Sequence, residues 1–186
     1  MKNICVVLAD GFEEIEALTV VDLCRRANIH VVTASISDTK TVTGSHQITV
    51  IADELFDAVD FKHIDMLVLP GGMPGTKHLQ AHSGLCAQLK NMVAEKKQVA
   101  AICAAPSVLG NLGLLSGTEA CCYPGFEDQL LGARVSDKEV CCGEYTTTSR
   151  GLGTAIAFAL KLIERLSDRE TAAQIADSIQ FQTSNS

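Results

Sequence analysis

The chain has 186 residues, 47% of them hydrophobic, which suits one domain with a substantial core. A formal charge of -7 with no dense Lys/Arg run excludes an electrostatic nucleic-acid footprint and attachment to an anionic membrane surface. The apolar run Ile4 to Ala9 ends at Asp10, too short for a signal peptide, and no stretch approaches a membrane span, so a soluble cytoplasmic protein is expected.

Lys2 to Ala9 reads as a buried strand, and Phe12 to Ala27 as a helix whose charged and apolar positions separate with a 3.6-residue period. His30 to Ser35 is the next strand. Thr39 to Val42 and Gln47 to Ile51, parted by Gly44-Ser45, form a hairpin-like extension; Asp65 to Leu69 is an apolar strand ending at Pro70-Gly71-Gly72. Ser83 to Lys96 is helical, Gln98 to Ile102 a strand, and Ala105 to Leu115 a helix weakened by Gly110 and Gly113. Short strands follow around Cys121 and between Lys138 and Ser149, with a turn near Gly143, then a helix from Thr154 to Leu166. Ser167-Asp168-Arg169-Glu170 has the spacing of a capping box and opens a last helix toward Ile179. A single domain over residues 1–180 is expected, with 181–186 frayed.

Strands alternating with helices imply an α/β fold with a mostly parallel central sheet covered on both faces, whose reactive groups gather beyond the carboxyl ends of the strands. Cys103 stands at such an end. The apolar run Val99-Ala100-Ala101-Ile102 breaks there into Ala104-Ala105-Pro106, so Ala101 and Ala105 take the glycine places of a nucleophile elbow and Cys103 the nucleophile's place. A thiol at a helix start is drawn toward thiolate, which predicts a pKa well below that of a free cysteine. The alternative is a buried strand-end cysteine.

Glu16 is the second candidate. At about 100 degrees per residue it falls among Phe12, Val20, Leu23 and Ala27 on the apolar side of its helix, with Glu14 opposite and Glu13 at the margin. A carboxyl there needs a partner or a proton. The alternative is that all three acids merely complement a helix N-terminus, which suffices for Glu13 and Glu14. Gly71 and Gly72, with the N–H of Ala104, are candidate backbone donors for an oxyanion hole over Cys103.

Eight cysteines without an export signal read as thiols rather than a disulfide framework. The vicinal pairs Cys121-Cys122 and Cys141-Cys142 fit strand packing better than a metal site, because neighbours on a strand point to opposite faces. No metal ligand set and no cofactor motif is expected. Gly151-Leu152-Gly153 lacks the third glycine of a dinucleotide fingerprint.

Ala100 to Pro106, Asp10 to Glu16, Leu69 to Gly75 and Thr148 to Thr154, in that combination, resemble the ThiJ/PfpI family, in its parkinsonism-associated deglycase branch. The resemblance runs from Lys2 to about Ile179. It implies a flavodoxin-like sandwich, commonly a homodimer, with Cys103 as an easily oxidised thiol, Glu16 as its carboxylic partner, and Tyr123 and Pro124 lining the site. The departures matter. Ala104 stands where peptidase members of the family carry histidine, Tyr123 where the deglycase branch often has one, and all five histidines precede Cys103. Tyr123 is a poor base near neutral pH. The expected function is therefore a response to oxidative or carbonyl stress, with a small oxidant as partner. The alternative is a glyoxalase- or deglycase-type enzyme acting on a 2-oxoaldehyde such as methylglyoxal; a cysteine peptidase or a thiazole-biosynthesis role is less well supported.

Overall fold

The computed structural model describes residues 2–182. Its core is a seven-stranded sheet. The strands are β1 (Asn3–Leu8), β2 (His30–Ser35), β5 (Glu54–Leu55), β6 (Met66–Leu69), β7 (Gln98–Ile102), β10 (Val140–Cys142) and β11 (Thr146–Ser149), in the order β10-β11-β7-β6-β1-β2-β5. Every neighbouring pair is parallel except β10 with β11, a hairpin that turns at Gly143 as the sequence predicts. The sandwich is flavodoxin-like.

Period-2 alternation sends each strand's residues to opposite layers. Ile4, Val6 and Leu8 meet α1 (Glu14–Arg26), α5 (Ala155–Leu166) and α6 (Arg169–Ser178), whose Val20, Leu23, Phe158, Leu162 and Ile175 complete one core. Cys5, Val7, Leu67 and Leu69 face the other way, toward α2 (Gly75–Ala81), α3 (Ser83–Ala94) and α4 (Pro106–Asn111) through Leu79, Leu85, Leu89 and Val108. Two small ribbons stand outside the sheet: β3 (Thr41–Thr43) with β4 (Thr49–Ile51), and β8 (Glu119–Ala120) with β9 (Arg134–Val135).

Several expected boundaries move, each for a local reason. The helix expected from Ala105 to Leu115 stops at Asn111. Gly110 lies against the Gln129–Leu130 backbone, where a side chain would collide, and Gly113 turns out of the helix at φ +75°. The helix expected from Ser83 to Lys96 ends at Ala94, and Lys96 turns at φ +60°. At α6 the cap is Asp168 rather than Ser167: its Oδ1 accepts from Thr171 N–H at 2.7 Å, one residue beyond the expected box. The fraying expected at 181–186 does not begin at Phe181, whose N–H donates to Ala176 O at 2.9 Å and which packs against the core; 183–186 lie outside the described residues. Helix α2 had no periodic signal in the sequence. Among the described residues no helix is long and apolar enough to cross a membrane.

Candidate functional site

Strand β7 runs straight into Cys103, which adopts φ +64°, the left-handed region that a residue with a Cβ occupies only under constraint. The constraint is visible. Cys103 N–H donates to Ser149 O at 3.0 Å at the end of β11, and Cys103 O accepts from Tyr123 N–H at 2.8 Å. Small neighbours make the bend possible: Ala101, Ala104 and Ala105 are all buried around it. A Cβ on Gly71 would lie 2.5 Å from that of Cys103, so only glycine lets the loop after β6 pass so close. The elbow read from the sequence is thus present in geometry. The N–H groups of Ala104 and Gly72 both point at the Cys103 sulfur.

Glu16 reaches the same point from α1. It is 1% exposed, its Oε2 accepts from Gly71 N–H at 2.8 Å, and its carboxylate accepts from the Cys103 thiol. The Gly71 N–H is therefore spent on orienting Glu16. Of the three expected backbone donors Gly71 is thus turned away from the sulfur, whereas the N–H groups of Gly72 and Ala104 face it. Burial pushes the Glu16 carboxyl up to about 7, against the hydrogen bonds from Gly71 and Cys103 and with a small further push from Glu13.

The depressed thiol pKa expected for Cys103 is not found. Burial first, then the charge and hydrogen bond of the Glu16 carboxylate, push it up to about 12, and the Ala104 and Gly72 N–H groups only partly oppose this. A carboxylate and a thiolate in contact repel, so the two groups hold one negative charge between them. Passage of the proton from sulfur to Glu16 would leave a thiolate under two N–H donors beside a neutral acid.

Glu14 is a second correction. It is not on an open face but 2% exposed, because the β3–β4 turn folds over the start of α1. Its Oε1 accepts from His46 N–H at 2.7 Å and its Oε2 lies 3.0 Å from His46 Nδ1. Burial would raise this carboxyl, yet the His46 side chain and the N–H groups of His46 and Ile48 together hold it below 4.5. Nothing in the helix periodicity marked this, since the cover comes from a turn some thirty residues away. Donor atoms of Glu13, Glu14 and His46 lie within 4.8 Å of one another, near enough to share a cation. Hydrogen bonds already link them: His46 Nδ1 pairs with Glu14, and Ser45 Oγ donates to both carboxylates.

Three of the other four histidine rings are engaged away from the elbow: His78 Nδ1 lies 2.9 Å from Asp10 O, His82 Nδ1 accepts from Leu85 N–H at 3.0 Å, and His63 pairs with Asp60 at 2.8 Å. Exposed Tyr123 and Pro124 lie on the segment after β8, and Tyr123 reaches the site through its backbone bond to Cys103. Gly151 also lies against this cluster, although in the sequence it belongs only to a weak glycine motif. A Cβ there would come within 3.3 Å of the Tyr123 ring and 3.9 Å of Glu16 Oε1. Its place two residues after the strand that braces Cys103 is the available signal.

The sequence profile of the DJ-1/PfpI family matches residues 2–165. The solved structure of an oxidised DJ-1 from Toxoplasma gondii superimposes with a TM-score of 0.94 at 41% identity, covering 98% of this chain and 100% of that one. A DJ-1 homologue of Arabidopsis thaliana is 34% identical over 94% of this chain, which spans only 40% of that relative's length. A deglycase of Pyrococcus abyssi is 30% identical over 88% of this chain and 99% of its own.

Proposed function

The chain belongs to the DJ-1/PfpI family, and we propose that within it Cys103 is the reacting group of a protein that responds to oxidative or carbonyl stress, with Glu16 as its proton partner. The observation that carries this is the elbow itself: a cysteine held at φ +64°, against a buried carboxyl fixed by Gly71, under the N–H groups of Gly72 and Ala104. Peroxide attack needs an anionic sulfur and a place for the product's charge. Transfer of the thiol proton to Glu16 supplies the first. The two N–H donors, with neutral Glu16, receive the oxygens of a sulfenic and then a sulfinic acid. No histidine is required. That a relative 41% identical is known in an oxidised form supports the reading.

The test is limited hydrogen peroxide followed by peptide mass spectrometry, in which Cys103 gains oxygen before the other seven cysteines. Prior oxidation of half-buried Cys86 or exposed Cys142 sinks the proposal.

A second reading is favoured by the Pyrococcus deglycase. Here the Cys103 thiolate adds to the aldehyde of a 2-oxoaldehyde, Glu16 relays a proton as the hemithioacetal rearranges to a 2-hydroxy thioester, and water then cleaves the C–S bond, releasing the hydroxy acid and restoring the thiol. Turnover of methylglyoxal by the parent and not by Cys103→Ser establishes it, and turnover independent of Cys103 removes it.

As working partners we take a small oxidant or 2-oxoaldehyde and a second copy of the chain, in the cytoplasm. Ile15 and Leu18 on α1 and Ile48 on the β3–β4 ribbon are exposed and adjacent to the Glu14–His46 contact, which gives a homodimer an apolar face to bury.

A further inference from the structure

Two vicinal cysteine pairs, Cys121-Cys122 and Cys141-Cys142, take no part in the Cys103 site. The fold splits each pair and brings members of different pairs together. Cys122 packs into the core on the α3 side of the sheet and Cys142 is exposed, whereas Cys121 and Cys141 are both buried, at 0% and 2% exposure. Thr148 on β11 connects the buried two. Cys121 takes hold of it three times: its N–H donates to Thr148 Oγ1 at 3.0 Å, its Sγ donates to Thr148 O at 3.3 Å, and the same sulfur lies 3.7 Å from Oγ1. Cys141 is the direct cross-strand partner of Thr148 in the β10–β11 ladder. Directly opposed residues of an antiparallel pair project to the same face with their Cβ atoms about 5 Å apart. Both thiols therefore sit against one threonine on one side of the sheet, and the Cys141 thiol is within hydrogen-bonding reach of Cys121.

We propose that Cys121 and Cys141 form a dithiol that hydrogen peroxide converts to an intramolecular disulfide, tying the segment after β8 to β10. One sulfur, as thiolate, attacks a peroxide oxygen; an S–O bond forms, the O–O bond breaks, and the departing hydroxide takes a proton and leaves as water. The second sulfur, losing its proton, then attacks the sulfenic sulfur; the S–S bond forms, the S–O bond breaks, and a second water leaves. Two thiols give up two electrons and one peroxide becomes two waters. Access comes from the edge. Strand β10 is three residues long and outermost in the sheet, bonded on one side only, so Cys141 is uncovered by a local opening rather than by global unfolding. Cys121 is two residues from Tyr123, whose N–H holds Cys103 O, so the disulfide would tether that wall of the Cys103 site to the edge of the sheet.

The experiment uses the full chain carrying Cys103→Ser, so that the elbow thiol does not contribute. The protein is exposed to hydrogen peroxide, blocked with N-ethylmaleimide and digested with trypsin, which cuts at Arg134 and Lys138 between the two pairs. The expected result is the loss of two free thiols and one cross-linked peptide pair whose fragment ions place the bond between Cys121 and Cys141. The same link is expected in Cys122→Ala/Cys142→Ala, and no link in Cys121→Ala/Cys141→Ala. A bond through Cys122 or Cys142, oxygenated cysteines without any bond, or no loss of thiols overturns the proposal. Should a double variant fail to fold, the fragment ions of the Cys103→Ser chain still decide between these outcomes.

Discussion

Replacing Glu16 by glutamine separates the burial of this carboxyl from its chemistry. The folded chain holds the Glu16 proton up to about 7 against an ordinary 4.5, so the folded state binds it more tightly than the unfolded state does. The stability this contributes is complete below 4.5 and is lost as the pH rises through 7. At 1.36 kcal/mol per pH unit the loss comes to about 3 kcal/mol for a carboxyl raised from 4.5 to about 7. Glutamine has no charge to bury, and its oxygen can keep the bond from Gly71. Glu16→Gln is therefore expected to match the parent at pH 4.5 and to exceed it at pH 8 by about 3 kcal/mol, or roughly 6–12 °C in Tm for a domain of this size. Thermal melts of both proteins at the two pH values read this directly. The same substitution removes the proton acceptor, so the alkylation rate of Cys103, expected to rise with an inflection near 7 in the parent, loses that inflection in the variant. A stability gap unchanged between pH 4.5 and 8, or an inflection that survives the substitution, refutes the assignment of the shared proton.

Three further outcomes follow from the contacts around the site. Glu14→Ala leaves the His46 and Ile48 N–H groups without an acceptor and costs about 1–3 kcal/mol in denaturant unfolding, yet leaves the Cys103 alkylation profile in place; because the Glu14 carboxyl titrates below 4.5, the difference from the parent is largest at neutral pH and shrinks in acid. Gly71→Ala sets a methyl 2.5 Å from Cys103 Cβ and 2.7 Å from Glu16 Oε2, an overpacking worth about 1–3 kcal/mol that also displaces Glu16 and slows Cys103 oxidation; Gly153→Ala, with nothing within 4 Å, is the control that leaves both unchanged. Ile48→Asp is expected to halve the sedimentation mass if the face shared by Ile15, Leu18 and Ile48 joins two copies, and a mass unchanged from a dimeric parent places the interface elsewhere.

The central strands and the helix packed on each of them were legible because their residues obey a single period over enough length. Glu16 was legible for the same reason: Phe12, Val20 and Leu23 beside it on the wheel are core, and Ala27 packs against that core. Glu14 was not, since the cover over it is a turn brought in by tertiary folding, and a helix wheel sees only its own helix. The two-residue strands β5, β8 and β9 are too short to carry a periodic signal, and α2 owes its place to the loop after β6 more than to an apolar stripe. At Cys103 the turn was readable from its small neighbours. The charge state was not, because it is set first by how deeply the sulfur and the Glu16 carboxyl are buried, which no local pattern reports.

The loops after β1 and β6 meet main chain to main chain. A Cβ on Gly11 would lie 2.7 Å from Pro74 N, and one on Gly75 would lie 2.7 Å from Gly11 C. This seam fixes the start of α1, and with it Glu16, relative to the elbow. Its consequence concerns how such a site can diversify. Positions along the seam admit almost no change without moving the reacting pair, whereas Tyr123 and Pro124 project from a segment tied down near the elbow by one backbone hydrogen bond. A change in what reaches Cys103 therefore has an open route through the segment after β8, and the Glu16–Cys103 contact can be inherited intact while the wall in front of it is rewritten.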